Sequence, residues 1–415
     1  MNQQKQVPQV RNFVPLHGFF LVLFTSILFS HVSAQIFSRV EVVTKTDADV
    51  ELGAERTTEY IALLKGKKVG VVANHTSLIG NTHVVDTLRS MKINVVKVFA
   101  PEHGFRGSAD AGEKVNSTVD EKTGLPLVSL YGKNKKPSAE MLANIDVIVF
   151  DIQDVGARFY TYISTMTYVM EACAELGIPV VIFDRPNPNG HYVDGPILEP
   201  AYSSFVGLHP VPVVHGMTVG EYAQMVNGEG WLKGGIKCKL SIIACKGWSR
   251  KEYYQLTVPP SPNLQTMNSI YLYPSLCFFE GTLVSVGRGT SSPFEVIGYP
   301  NCPEGNFSFT PKSGPGSKSP QYENKECRGF DLRHFGDNFV RDTGMLYLYW
   351  LQSLSSIESK NPAFFTSFFD KLAGTDTLRK QLLAGVSEAD IRKSWAPGLS
   401  QFRQMRKKYL LYPDL

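Results

Sequence analysis

Residues 146–151 read Asp-Val-Ile-Val-Phe-Asp, and residues 178–184 read Ile-Pro-Val-Val-Ile-Phe-Asp. Both are short β-branched and aromatic runs without polar alternation, and both end on an acid. A strand with one face in water alternates polar and apolar positions. An unbroken run is buried on both faces, as in a parallel sheet covered by helices. Between the two, Ile163, Met166, Met170, Cys173 and Leu176 recur at helical spacing, so the segment reads strand, helix, strand. Working outward toward the N-terminus extends the alternation. Lys68–Ala73 (KVGVVA) is another buried-type strand, 83–91 is helical, 93–100 is a strand and 127–130 a short one. Pro137 opens a short helix, because proline suits a first helical turn.

This alternation predicts an α/β fold with a Rossmann-like parallel sheet over residues 55–226. Right-handed crossovers then place every strand's carboxyl end on one edge. After residue 226 the texture changes to strand-like pieces such as 240–244, long Pro/Gly loops such as 311–320, and helices at 364–372, Thr377–Leu383 and 387–395. That pattern predicts a second, smaller mixed α/β domain over 227–415, with a cleft between the two.

Residues 1–34 read as a signal peptide. Lys5 and Arg11 precede the apolar run 19–29, and Val32-Ser33-Ala34 gives small residues at cleavage spacing. The run is short for a bilayer span, which takes about 20 residues. Residues 35–54 form a polar lead-in. The expectation is a periplasmic or secreted protein without stable membrane insertion. Removing Lys5 and Arg11 lowers the formal charge from +4 to +2, too near neutral for a nucleic-acid footprint. The lysines at 133, 135 and 136 read as a solvated loop. Six cysteines are present without a C-x-x-C pair. A bridge between Cys302 and Cys327 is compatible with export.

The polar residues gather where the predicted strands end, and ligands of open α/β sheets bind outside those ends. Asn74 and His75 follow one strand. Glu102, His103 and Arg106 follow the next, in Pro-Glu-His-Gly-Phe-Arg-Gly, and Glu113 lies further along the same glycine-bearing loop. Asp151, Asp154, Arg158 and Tyr160 follow a third, in Asp-Ile-Gln-Asp-Val-Gly-Ala-Arg-Phe-Tyr. Asn187 follows a fourth, in Arg-Pro-Asn-Pro-Asn-Gly. In the second half, Glu280-Gly-Thr and Gly-Arg288-Gly-Thr suggest a loop near a ligand. Glycoside cleavage commonly uses two carboxyl groups, one giving a proton and one acting as base or nucleophile, which suits Glu102 with Glu113 or Asp151. The Asp154–Tyr160 turn suits sugar hydroxyls, and Arg158 suits either a ligand carboxylate or an internal Asp–Arg pair. Glu221, three residues after Thr218, is explained by a capping box.

The first strand is not followed by G-x-G-x-x-G, and Walker A, H-E-x-x-H and G-x-S-x-G motifs are missing. No cofactor and no metal is called for.

Taken in order, these segments resemble the exo-β-N-acetylmuramidase family: Ala73-Asn74-His75-Thr76, the 101–107 and 151–158 motifs, Arg185-Pro186-Asn187-Pro188, His215-Gly216-Met217-Thr218, Glu280-Gly281-Thr282, Gly287-Arg288-Gly289-Thr290 and the tail at 402–412. The likeness runs from about residue 53 to the end. It departs at Ser108-Ala109-Asp110, where an acid is expected nearer Gly107. The resemblance implies release of N-acetylmuramic acid from the non-reducing end of peptidoglycan fragments. Within that expectation Glu102 is the general acid, and Glu113, Asp151 or Asp154 is the second carboxylate. Arg106, Arg158 or Arg288 reads the lactyl carboxylate. Two rival readings are a non-catalytic binding protein for cell-wall saccharides and a phosphate- or metal-dependent hydrolase using Asp151 and Asp154.

Overall fold

A computed structural model describes residues 44–46, 49–102, 104–105 and 118–414. The expected signal peptide, and residues 35–43 and 47–48 of the expected 35–54 lead-in, lie outside the described residues. The main sheet comprises β1 (Lys68–Ala73), β2 (Asn94–Ala100), β3 (Thr118–Val119), β4 (Pro126–Ser129), β5 (Val147–Asp151), β6 (Val180–Phe183) and β7 (Leu240–Ile243). Their spatial order is β7-β6-β5-β1-β2-β4-β3. All pairings are parallel except that of β3 with β4. Leaving aside β3, this is the Rossmann-like doubly wound order, with β1 central. Val72 is opposite Phe99 of β2 on one side and Phe150 of β5 on the other. The winding direction reverses there, so a crevice opens between the ends of β1 and β5. β7 comes from residues beyond 226, so the chain returns to the sheet after the expected start of the second domain.

The unbroken apolar runs are buried on both faces. Ile148, Phe150, Val180 and Ile182 enter one core; Val147, Val149, Val181 and Phe183 enter another. This is the period-two alternation of a strand with both sides covered. Tyr60 and Leu64 of α1 (Thr57–Leu64) and Val84, Val85 and Leu88 of α2 (Val84–Ser90) cover the second face. The first is covered by α3 (Tyr162–Leu176) and α4 (Val219–Gly228). Residues 162–167 and 169–173 of α3 are all buried, because the helix lies beneath both the sheet and the C-terminal half.

That half contains α5 (Met267–Leu276), an antiparallel sheet of β8 (Val296–Tyr299), β9 (Phe307–Phe309) and β10 (Cys327–Asp331) with β10 in the middle, and four helices: α6 (Tyr349–Ile357), α7 (Ser367–Ala373), α8 (Thr377–Leu383) and α9 (Glu388–Arg406). Its core residues Phe278, Leu351, Leu372, Ile391 and Phe402 are continuous with the α3 face of the sheet.

Three local expectations change. The segment after Pro137 makes only turns, such as Leu142 N–H to Ser138 O at 3.1 Å, and never propagates a helix. Closing a first helical turn is costly, and this short segment does not extend beyond it. The helix expected to end at residue 395 continues to Arg406 despite Pro397, because its buried stripe of Ile391, Trp395, Leu399 and Phe402 holds it against the core. All six thiols are free and buried, so Cys302 and Cys327 are not bridged.

Candidate active site

The polar residues at the carboxyl edge divide into two groups. The first is spent on the fold. Asn74 is buried; its Nδ2 donates to the Tyr162 hydroxyl at 2.9 Å, and its Oδ1 accepts from Thr76 N and Oγ1 at 2.9 and 2.6 Å. Asp151 is fully buried and takes a two-pronged ion pair from Arg185, Nε–Oδ1 2.6 Å and Nη2–Oδ2 3.0 Å. Arg158 is 0 % exposed and faces no carboxylate. Its Nη1 donates to Pro196 O and Val211 O, and its Nη2 to Leu372 O and Ala373 O, all at 2.7–2.9 Å. The last two carbonyls end α7, so the cation also meets the negative end of that helix. Arg158 therefore cross-braces the two halves of the chain. It makes neither the ligand contact nor the internal Asp–Arg pair expected from the sequence.

Asn187 holds its own turn, donating to Met217 O at 2.9 Å and accepting from Asn189 N at 2.8 Å. Gly156, at φ +75°, passes so close to Asn187 that a Cβ would lie 2.2 Å from its Oδ1, which requires glycine there. Asp154 is also buried. Its Oδ2 accepts from Gly156 N at 2.7 Å, its Oδ1 has no partner, and burial pushes its pKa up to about 7. Glu221 completes the capping box with Thr218 and forms a buried pair with Arg250.

The second group lines a cavity of about 140 Å³. Glu102 comes from the end of β2, Tyr160, Thr161 and Tyr162 from the start of α3, and Glu280, Arg288 and Phe294 from the C-terminal half. Glu102 is half-buried and accepts from Thr161 Oγ1 at 3.0 Å. Burial, and then the nearby Glu102 carboxylate, raise the pKa of Tyr131, just past β4. Arg288 Nε donates to Glu280 Oε1 at 2.6 Å, and its guanidinium lies 5.0 Å from the Phe294 ring centre. Burial disfavours the Arg288 charge, but Glu280 more than offsets this and holds its pKa above the ordinary value. Its two Nη atoms make no hydrogen bond to the described residues.

A proline strap separates this cavity from a larger cleft. The Pro260 carbonyl accepts from Tyr160 at 2.8 Å, and His75 Nε2 meets the Pro259 carbonyl at 2.8 Å. Burial lowers the His75 pKa, keeping the ring neutral. On one side of the strap, Ser261, Asn263 and Leu264 line the small cavity. On the other, residues 256–258 line a cleft of about 640 Å³ with Gln153, Arg185 and the acids Asp49, Glu51 and Glu55. Of the residues anticipated from sequence, Glu102, Tyr160, Glu280 and Arg288 therefore meet in one cavity. Asn74, Asp151, Asp154, Arg158 and Asn187 do not line it, and His75 supports the strap. His103, Arg106 and Glu113 lie outside the described residues.

Models of an exo-β-N-acetylmuramidase match the chain over residues 69–268 for the N-terminal part and 271–412 for the C-terminal part. The chain belongs to the exo-β-N-acetylmuramidase family. Glycoside hydrolysis is the chemistry of that family. The chain is 43 % identical over 384 residues to a peptidoglycan β-N-acetylmuramidase of Bacillus subtilis, covering 85 % of this chain and 89 % of that one. Two crystal structures from Bacteroides fragilis, titled as proteins of a family of unknown function, share the fold. One has TM-score 0.82 and 46 % identity, covering 88 % of this chain and 100 % of the other; the second has 0.75 and 30 %, covering 88 % and 99 %.

The exo-β-N-acetylmuramidase motifs named from sequence split across both groups of edge residues. Asn263 and Tyr273, which also line the cavity, were not anticipated, and both are uncharged. Thr161 and Phe294 were noticed only as neighbours within the 151–162 turn and the loop around Arg288.

Proposed function

We propose that this protein is an exo-acting glycoside hydrolase that removes terminal N-acetylmuramic acid from the non-reducing end of peptidoglycan fragments, in the periplasm or after secretion. The observation that carries this reading is the meeting of a carboxyl group, Glu102, with a cation, Arg288, whose two Nη atoms make no hydrogen bond to the described residues, in one small aromatic-walled cavity.

Glu102 gives its proton to the glycosidic oxygen as the bond from that oxygen to the anomeric carbon breaks, and water supplies the hydroxyl that replaces it. Glu113, further along the sequence, is the second carboxylate. Asp151 is unsuited to that role, because its pair with Arg185 occupies both oxygens. Arg288 receives the lactyl carboxylate on its Nη atoms while Glu280 fixes the guanidinium plane. A neutral sugar would leave that cation unpaired, which is how a polar site rejects an analogue.

The test is to incubate purified protein with a disaccharide of N-acetylmuramic acid linked to N-acetylglucosamine and identify the sugars released. Equimolar free sugars are expected. Tight binding of the disaccharide without release would replace this reading with that of a binding protein.

A further inference from the structure

Thr161 occupies the N-cap of α3 but does not cap it. Four other helices in this chain begin with Thr or Ser, and each uses the hydroxyl oxygen as a cap: Thr218 accepts from Glu221 N, Thr266 from Ser269 N, Thr366 from Phe368 N and Ser387 from Asp390 N. Such a bond satisfies an otherwise orphaned helix N–H and stabilises the helix. Thr161 instead has helical backbone angles, φ −76° and ψ −3°, and makes no side-chain cap bond. Its hydroxyl donates to Glu102 Oε2. Helix α3 gives up a cap so that this hydroxyl can reach a neighbouring strand end. Tyr131, past the end of β4, lies near enough to the same carboxyl group for its charge to raise the tyrosine's pKa.

We infer that Thr161, supported by Tyr131, is a positioning residue that fixes the carboxyl plane of Glu102 for proton delivery; this rests on the assignment of Glu102 as proton donor. Helix α3 is 15 residues long and buried along most of its length, so its first residue is a rigid anchor. A carboxyl group at the end of a strand otherwise rotates about three side-chain bonds. Tying one oxygen to a fixed helix start removes that freedom, and acid catalysis depends on such geometry.

The test compares Thr161→Val, Thr161→Ser, Tyr131→Phe and Glu102→Gln on two N-acetylmuramic acid glycosides, one with a sugar leaving group and one with dinitrophenol, which departs without protonation. Thr161→Val is expected to lower kcat about tenfold on the sugar substrate, with KM unchanged, and much less on the dinitrophenyl substrate. Thr161→Ser is expected to restore the loss, and Tyr131→Phe to show the same leaving-group dependence with a smaller loss. Equal losses on both substrates, or none, for Thr161→Val would overturn the positioning role, provided Glu102→Gln is strongly impaired on the sugar substrate alone. If Glu102→Gln turns over the sugar substrate normally, the proton-donor assignment itself fails.

Discussion

The crevice between β1 and β5 and the small cavity beyond the proline strap contain the same kinds of residues, yet they differ in what those residues have left to give. Around the crevice, Asp151 is doubly paired, Arg158 spends both terminal nitrogens on four carbonyls, and Asn74 and Asn187 hold their own turns. In the cavity, Arg288 uses one nitrogen of three on the described residues, and Glu102 is half-buried. A charged residue at a strand's carboxyl end is therefore a site residue only if its hydrogen-bonding capacity is not consumed by the fold. Position on the sheet edge does not separate the two cases.

Substitutions on either side of the strap should consequently fail in different ways. The largest expected effect is from Glu102→Gln, which should lower kcat on a sugar leaving group by about 10²–10⁴-fold, the usual share of a general acid. Thermal unfolding should be nearly unchanged. Arg158→Met should do the reverse, destabilising the fold by about 3–5 kcal/mol, since four buried carbonyls lose their donors at once. Denaturant unfolding should show this as a lower midpoint. A stable Arg158→Met enzyme that had lost its preference for muramic acid would invert the comparison.

Next in size is Arg288→Ala. It should reduce kcat/KM for muramic acid over glucosamine substrates by about 10²-fold, measured by competition between the two sugars. An unchanged ratio would remove carboxylate reading by this residue.

The smallest effect concerns Asp154, whose pKa is raised to about 7 from the usual 3.8 by burial. The folded state then holds a proton that the unfolded state has released, so this group's contribution to stability falls as pH rises from about 4 to about 7. Asp154→Asn removes that loss. It should stabilise the protein at pH 8 and have almost no effect near pH 4, as read from melting curves at the two values. Equal stabilisation at both would show that the carboxyl is not protonated on folding.

The fold was largely legible because buried parallel strands leave an uninterrupted apolar signature. The runs 68–73, 146–151 and 178–184 fall on β1, β5 and β6 within two residues. The short helix at Pro137 and the end of α9 were misjudged, since proline's local preference is a weak guide where burial decides. Part of the site was legible from charge: Glu102, Glu280 and Arg288 stood out as chemistry-bearing residues. Arg158 stood out equally, because nothing in a sequence shows that four carbonyls will close around a guanidinium. Thr161 drew no attention of its own for the converse reason, since its bond to Glu102 forms only where a helix start meets a neighbouring strand end.

The most direct test is a crystal structure of the Glu102→Gln protein with N-acetylmuramic acid bound. The sugar should occupy the cavity between Tyr160, Asn263 and Arg288, with its lactyl carboxylate on the Arg288 guanidinium. A sugar seated instead in the larger cleft, against Gln153 and Arg185, would contradict the account.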